Sequence, residues 1–239
     1  MNAEDFVVFT EYWNKQKVFI DTDLWYVENI LSEQELSELM RHANEENKWY
    51  KTMRSSSIRN KFIGVNVKTH PEGTICPRRG IDLSGDALFP NYQEDGIIQK
   101  DMVTFIKDGG IFDKLSAVLP PTLVKNPILQ SFWPLDEEEL KDPGGAYGWH
   151  SENGTIPESE SSLTATWSLY LNDDYEGGVL EFLHKPYTIK AKPGMLVSIP
   201  MTEEFTHRVT PVTKGIRHTL YGTCYKDPSD RFTSTAETC

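Results

Sequence analysis

Residues 164–200 read TATWSLYLNDDYEGGVLEFLHKPYTIKAKPGMLVSIP, and this stretch decides the fold. Four strand-like runs stand out in it: TATWSLYL, GVLEFLH, YTIKA and MLVSIP. The clusters NDDYEGG, HKP and AKPG between them carry the Gly, Pro, Asn and Asp that end strands and make turns. Working outward, PILQSFW (127–133), THRVTPV (206–212) and RHTLYGTCY (217–225) repeat the pattern. Many short strands so closely spaced predict a mainly β, α+β core of two sheets, a jelly roll or double-stranded β-helix, over 127–226.

Upstream the signal changes. VFIDTDLWYVENIL (18–31) is rich in β-branched and aromatic residues and reads as one or two strands. Ser32-Glu33-Gln34-Glu35 then fits a capping box, with Ser32 as N-cap and Glu35 three residues on. Leu36, Leu39, Met40 and Ala43 follow at helical spacing, which predicts a helix over 33–47. Residues 51–90 combine a basic, Ser-rich segment, a short strand (FIGVNV) and a Pro/Gly-rich loop. Arg54, Arg59, Lys61, Lys68, Arg78 and Arg79 concentrate positive charge there, either as solvated loop charge or as a lid facing an acidic partner. A second helical pattern over 91–119 breaks at Gly109-Gly110 and resumes with Phe112, Leu115 and Leu119. LDEEELKDPGG (135–145) reads as an acidic surface loop near a site mouth. The expected organisation is a single domain over 1–239. In it, N-terminal helices and a lid region (1–126) pack on the strand core (127–226), and a tail (227–239) follows.

The bulk composition narrows the function. With 239 residues, 38% hydrophobic and 11% aromatic, the chain can bury a full core. A formal net charge of −12 and a pI near 5.0 disfavour nucleic acid as partner, since phosphate binding needs a basic surface. Cys76, Cys224 and Cys239 are an odd, irregularly spaced set without CxxC, which suits a reducing cytoplasm and no disulfide framework. The N-terminus has early acidic residues and no apolar core of a secretory signal. No run of about 18 apolar residues exists, so no membrane association is expected.

The chemistry concentrates in three places. His150 and Glu152 form H-x-E in GAYGWHSENG, and alternation puts both side chains on one side of an extended strand. His207 lies far downstream and must return beside them. Two imidazoles and one carboxylate can occupy one face of an octahedral metal and leave three positions open, as in non-haem Fe(II) oxygenases. Zinc accepts the same donors, but its usual H-E-x-x-H sits on a helix, whereas these residues are dispersed over strands. Arg217, at H-x9-R, could hold a carboxylate bidentately. Thr219 points to the same face as Arg217, and Thr166 is a second hydroxyl. Either threonine could equally reflect simple β-propensity. Tyr147 and Trp149 flank the metal strand and could line a substrate pocket, while Trp149 suits the core as well.

Several of these segments resemble prolyl 4-hydroxylase-like 2-oxoglutarate/Fe(II) dioxygenases. HRVTPVTKGIR (207–217) is similar to that family's C-terminal motif. TWSLYLNDDYEGGVLEF (166–182), YGWHSE (147–152) and VENILSEQEL (27–36) resemble further segments of it. The resemblance covers about 27–50 and 127–226. It implies a jelly-roll fold and a hydroxylase using Fe(II), 2-oxoglutarate and O2, with ascorbate as a possible reductant. It implies His150, Glu152 and His207 as iron ligands, Arg217 with Thr166 at the distal carboxylate of 2-oxoglutarate, and Tyr147 in the substrate channel. Glu152 departs from the usual Asp, and Trp133 stands near where a Tyr usually meets the cosubstrate. Related halogenases leave the carboxylate position empty, so Glu152 points to hydroxylation or another oxidative outcome. The expected substrate is prolyl, peptidyl or amino-acid-like, with a small molecule and a peptide both open. A cupin-like metal-binding module and a nucleic-acid-modifying dioxygenase are the alternatives.

Overall fold

The computed structural model describes residues 3–44, 50–51, 58–62, 109–119, 125–134, 149–151 and 163–225. Helices α1 (Ala3–Gln16), α2 (Glu33–Asn44) and α3 (Ile111–Val118) accompany thirteen strands among these residues. The strands are β1 (Val18–Phe19), β2 (Trp25–Val27), β3 (Tyr50–Lys51), β4 (Ile58–Phe62), β5 (Lys125–Phe132), β6 (Leu163–Tyr170) and β7 (Glu176–Gly177). They continue as β8 (Leu180–Phe182), β9 (Thr188–Ile189), β10 (Leu196–Pro200), β11 (His207–Val209), β12 (Val212–Lys214) and β13 (Arg217–Tyr225).

Eight strands form one antiparallel sheet in the order β1-β2-β10-β6-β13-β5-β4-β3. Two smaller sheets, β11-β8-β9 and β12-β7, complete the set. Alternation along each strand sorts the side chains of the large sheet onto two faces. Trp25, Val27, Leu129, Trp167, Leu169, Leu196 and Leu220 share one buried cluster with Trp13 of α1, Leu39 of α2 and Leu115 of α3. On the other face Tyr170, Val197 and Ile199 cluster with Leu180, Phe182, Ile189 and Phe205 of the smaller-sheet region. Coverage on both sides explains why β10 is enclosed along its length, with Leu196 to Ile199 all buried.

The strand segments read from the sequence over 127–225 fall where β5, β6 and β8 to β13 lie. The capping box closes reciprocally: the Ser32 amide donates to Glu35 Oε2 at 2.6 Å, and the Glu35 amide donates to Ser32 Oγ at 3.2 Å. Lys114 of α3 also reaches Glu35 at 2.6 Å, tying two helices together. Burial pushes the Glu35 carboxyl up, but Lys114 and the Ser32 groups outweigh it and hold the carboxyl below its usual range. The expected helix over 33–47 is described as far as Asn44.

The N-terminal part departs from the sequence reading in two ways. Helix α1 was not anticipated, because Val7-Val8-Phe9 has no helical period by itself. It is the docking of Phe9 and Trp13 onto the core that fixes this segment. The N-terminal part also supplies four strands of the large sheet: β1 and β2 fall in the 18–31 segment expected to form one or two strands, whereas β3 and β4 were not expected. The expected strand FIGVNV lies outside the described residues beyond Phe62, as do Arg54, Lys68, Arg78 and Arg79 of the basic 51–90 region, residues 91–108 of the second helical pattern, the 135–145 loop and the 227–239 tail.

Candidate metal and carboxylate site

The two histidines meet through a single antiparallel bridge. The His150 amide donates to the His207 carbonyl at 3.0 Å, and the His207 amide returns the bond at 2.9 Å. Directly opposed residues share a face, and the two ring centroids lie 4.7 Å apart. His207 also pairs with Phe182 of β8, whose ring centroid is 6.1 Å from its own. Nδ1 of the buried His207 lies 3.0 Å from the Phe205 carbonyl oxygen. A carbonyl only accepts, so Nδ1 carries the proton and Nε2 keeps the lone pair that a metal needs. Glu152 and Tyr147 lie outside the described residues. Among the described residues there is no group of three potential metal ligands.

Arg217 is built differently. It opens β13 opposite Phe132 of β5 and is only 2% exposed. Its guanidinium lies 4.5 Å from the Phe132 ring centroid and 4.9 Å from that of Tyr170. Asn172, in the turn after β6, holds both of its neighbours: Nδ2 donates to the Ile216 carbonyl at 2.7 Å, and Oδ1 accepts from the His218 amide at 2.8 Å. On the opposite face of the sheet His218 Nδ1 meets Ser131 Oγ at 2.5 Å, which pins β13 to β5 at the same register. The backbone around Arg217 is thus fixed on both sides.

The side chain is not satisfied. Nε and Nη1 of Arg217 are buried and have no hydrogen-bond partner among the described residues. A buried, unpaired cation costs several kcal/mol, on the order of 3–5 when a partner is missing, so the site calls for an anion. Tyr175 hydrogen-bonds the guanidinium, and Gly178 makes room for both. A Cβ at Gly178 would stand 2.8 Å from the Tyr175 ring and 3.0 Å from Arg217 Cδ, at a φ of +63° that side chains rarely adopt. Burial raises the Tyr175 phenol to about 12, against the opposing pull of the Arg217 charge. The phenol therefore stays a neutral donor. A planar carboxylate would meet two guanidinium N–H groups and one O–H here.

The histidine pair and the arginine share one interior. Tyr170, beside Arg217, belongs to the same buried cluster as Phe182 and Phe205, which flank His207. Val209, two residues past His207 on the same strand, packs with Phe132 and Tyr175. The donor set and the orphaned guanidinium together fit a divalent metal ion with a dicarboxylate cosubstrate.

The remaining predicted residues fall as follows. Thr219 shares the Arg217 face and is buried, with its hydroxyl donating to the Gln130 carbonyl at 3.3 Å. Thr166 is buried on that face as well, but it opposes Thr223, six residues along β13 from Arg217. At the strand rise this is roughly 20 Å of backbone, so register does not bring Thr166 to the guanidinium. Trp149 is 40% exposed, outside both clusters, with Arg208 over its ring. Trp133 packs edge-on against His218, on the face of the sheet opposite Arg217. Sequence reading missed Asn172, Tyr175 and Phe132. The NDDYEGG turn was legible as a turn, but only the pairing of β6 with β13 puts its Asn and Tyr beside the arginine.

Residues 139–225 match the family model described as the 2OG-Fe(II) oxygenase superfamily. This segment is similar to the 2-oxoglutarate oxygenases, a superfamily for which Fe(II) and 2-oxoglutarate are implied. Among curated relatives, a PKHD-type hydroxylase of Prochlorococcus marinus (strain NATL2A) is 30% identical over 125 residues, covering 48% of this chain and 55% of that protein. The chain thus spans about half the length of the relatives it matches first. A prolyl hydroxylase from Trichoplax adhaerens, solved with a hypoxia inducible factor oxygen degradation domain peptide fragment, shares the fold: TM-score 0.56, 12% identity, 98% of each chain covered. A 2OG-Fe(II) oxygenase family oxidoreductase from Burkholderia pseudomallei does so too, with TM-score 0.52, 8% identity, and 95% and 92% covered.

Proposed function

We propose that this protein is an Fe(II)- and 2-oxoglutarate-dependent dioxygenase that hydroxylates an unactivated C–H of a prolyl, peptidyl or amino-acid-like substrate. The single observation that carries the reading is Arg217, a buried guanidinium with two unpartnered nitrogens, set in the same interior as the His150–His207 pair. A metal-binding jelly roll without oxygenase activity has no need of such a clamp. We read the whole chain as one domain in which the large and small sheets form a double-stranded β-helix.

His150, His207 and Glu152 would hold the iron. When bound, Fe(II) supplies the coupling of 2-oxoglutarate decarboxylation to oxidation: one oxygen atom of O2 goes to succinate and the other to the substrate C–H, with release of CO2. Phe205 keeps His207 in the tautomer that offers Nε2. Arg217 anchors the distal carboxylate by charge-assisted hydrogen bonds, and the neutral phenol of Tyr175 adds a third donor. Phe132, Tyr170 and Val212 keep water from that carboxylate, which strengthens each contact. Among the described residues no helix is long and apolar enough to cross a membrane.

The test is succinate release from 2-oxoglutarate under 18O2 with Fe(II) and excess chloride, screened over prolyl peptides and free amino acids. We expect substrate-stimulated succinate and a product one 18O heavier than its substrate. His150→Ala and His207→Ala should lose both turnover and Mn(II) binding. A chlorinated product, or metal binding untouched by either substitution, would overturn the reading. Stimulation by oligonucleotides instead of peptides would move the substrate class to nucleic acid.

A further inference from the structure

The His150–His207 bridge has two faces, and each carries a row of side chains across three strands. Inward stand His150, His207 and Phe182, in bridge and ladder register. Outward stand Trp149, Arg208 and Glu181, the residues adjacent to them. The outer row is joined throughout. The Arg208 guanidinium lies 4.4 Å from the centroid of the Trp149 ring. Its Nη2 is 2.8 Å and its Nε 2.9 Å from Glu181 Oε2, across the β11–β8 ladder. Arg208 therefore fastens the 149–151 segment, through β11, to β8.

Register matters here more than elsewhere. Side chains alternate with a period of two, so a slip of one residue in the 149–151 segment would turn His150 outward and Trp149 inward. Residues 149–151 meet β11 at one bridge, whereas β6 and β13 pair over seven positions that specify each other. Trp149, with its ring engaged on the outer face, opposes such a slip. We propose that Arg208, clasped between Trp149 and Glu181, is a positioning residue that holds His150 in register with His207 and so fixes the separation of the two imidazoles. This rests on the reading of that pair as metal ligands, and it gives Trp149 a role distinct from lining a pocket.

The experiment uses the purified full chain with Mn(II) or Co(II) as the probe metal. Arg208→Ala and Trp149→Ala should weaken Mn(II) binding about tenfold, the low end for residues that orient a ligand from behind, and should change the Co(II) d–d spectrum. Arg208→Lys and Trp149→Phe keep a cation over a ring and should recover affinity to within about threefold. If Arg208→Ala fails to fold, Glu181→Gln tests the same row, with a smaller loss expected. Wild-type affinity and spectrum in both alanine variants would overturn the proposal. So would equal losses in the alanine and conservative variants. His207→Ala separates the two levels. If it too binds Mn(II) normally, the metal reading itself fails. If it loses the metal while Arg208→Ala does not, only the positioning role falls.

Discussion

Replacing Arg217 by Met should have opposite effects on the cosubstrate and on the empty fold. The side chain is 2% exposed, and Nε and Nη1 are without partners. In the complex each should make a charge-assisted hydrogen bond, worth about 1.5–3 kcal/mol. Taking the low end for both gives about 3 kcal/mol, or roughly two orders of magnitude in the Kd for 2-oxoglutarate. In the empty protein the same two N–H groups cost about 1–3 kcal/mol each. Against that, the guanidinium gains on the order of 1 kcal/mol from each of two rings, at 4.5 and 4.9 Å, and a contact to Tyr175. These terms oppose one another, so the empty variant should melt within a few degrees of wild type, or above it. Calorimetric titration of 2-oxoglutarate in the presence of Mn(II), beside a thermal melt without ligand, reads both numbers. Mn(II) affinity itself should not change. A Kd within about threefold of wild type would mean that another cation holds the carboxylate. A fall of ten degrees or more in the empty melt would mean that Arg217 is a structural strut with satisfied nitrogens.

Further outcomes follow from Tyr175 and from the capping box of α2. Tyr175→Phe should raise the KM for 2-oxoglutarate about tenfold, the worth of one hydrogen bond, with kcat near wild type. Because burial raises the phenol from 10.0 to about 12, its contribution to stability is complete below pH 10 and is lost as pH rises from 10 to 12; alkaline unfolding of Tyr175→Phe should show a shallower decline there. Ser32→Ala should cost about 1 kcal/mol in urea unfolding at pH 7. Glu35→Gln should flatten the acid limb, because a carboxyl held below its usual range stabilises the fold above its unfolded pKa and stops doing so as pH falls through the folded value. An acid limb unchanged by Glu35→Gln would mean that Lys114 and Ser32 do not hold the carboxylate as drawn.

Much of this was legible before any coordinates. The strands of 127–225 show in the sequence because a half-buried or fully buried strand must be apolar at period two or throughout, and because turns need Gly, Pro, Asn or Asp. The start of α2 shows because the capping box is a local contract between Ser32 and Glu35, three residues apart. His150, His207 and Arg217 could be named from spacing, since metal and carboxylate chemistry permits few residue types. Local information of this kind survives in a string of letters.

What the string could not hold is pairing across distance. The docking of α1 depends on Phe9 and Trp13 finding a core that joins nearby residues such as Trp25 and Leu39 to distant ones such as Leu129, Trp167 and Leu220. Both threonines lie on the Arg217 face, as alternation requires, yet register alone decides that Thr219 spends its hydroxyl on Gln130 and that Thr166 stands six residues along from the arginine. Tyr175, Phe132 and Tyr170 reach one guanidinium from a turn and two strands. The sequence determined which chemical groups this protein possesses and the local structure that carries them. The tertiary structure decided which of them meet, because hydrogen-bond register and packing between strands remote in sequence are set by the whole assembly and by no single segment.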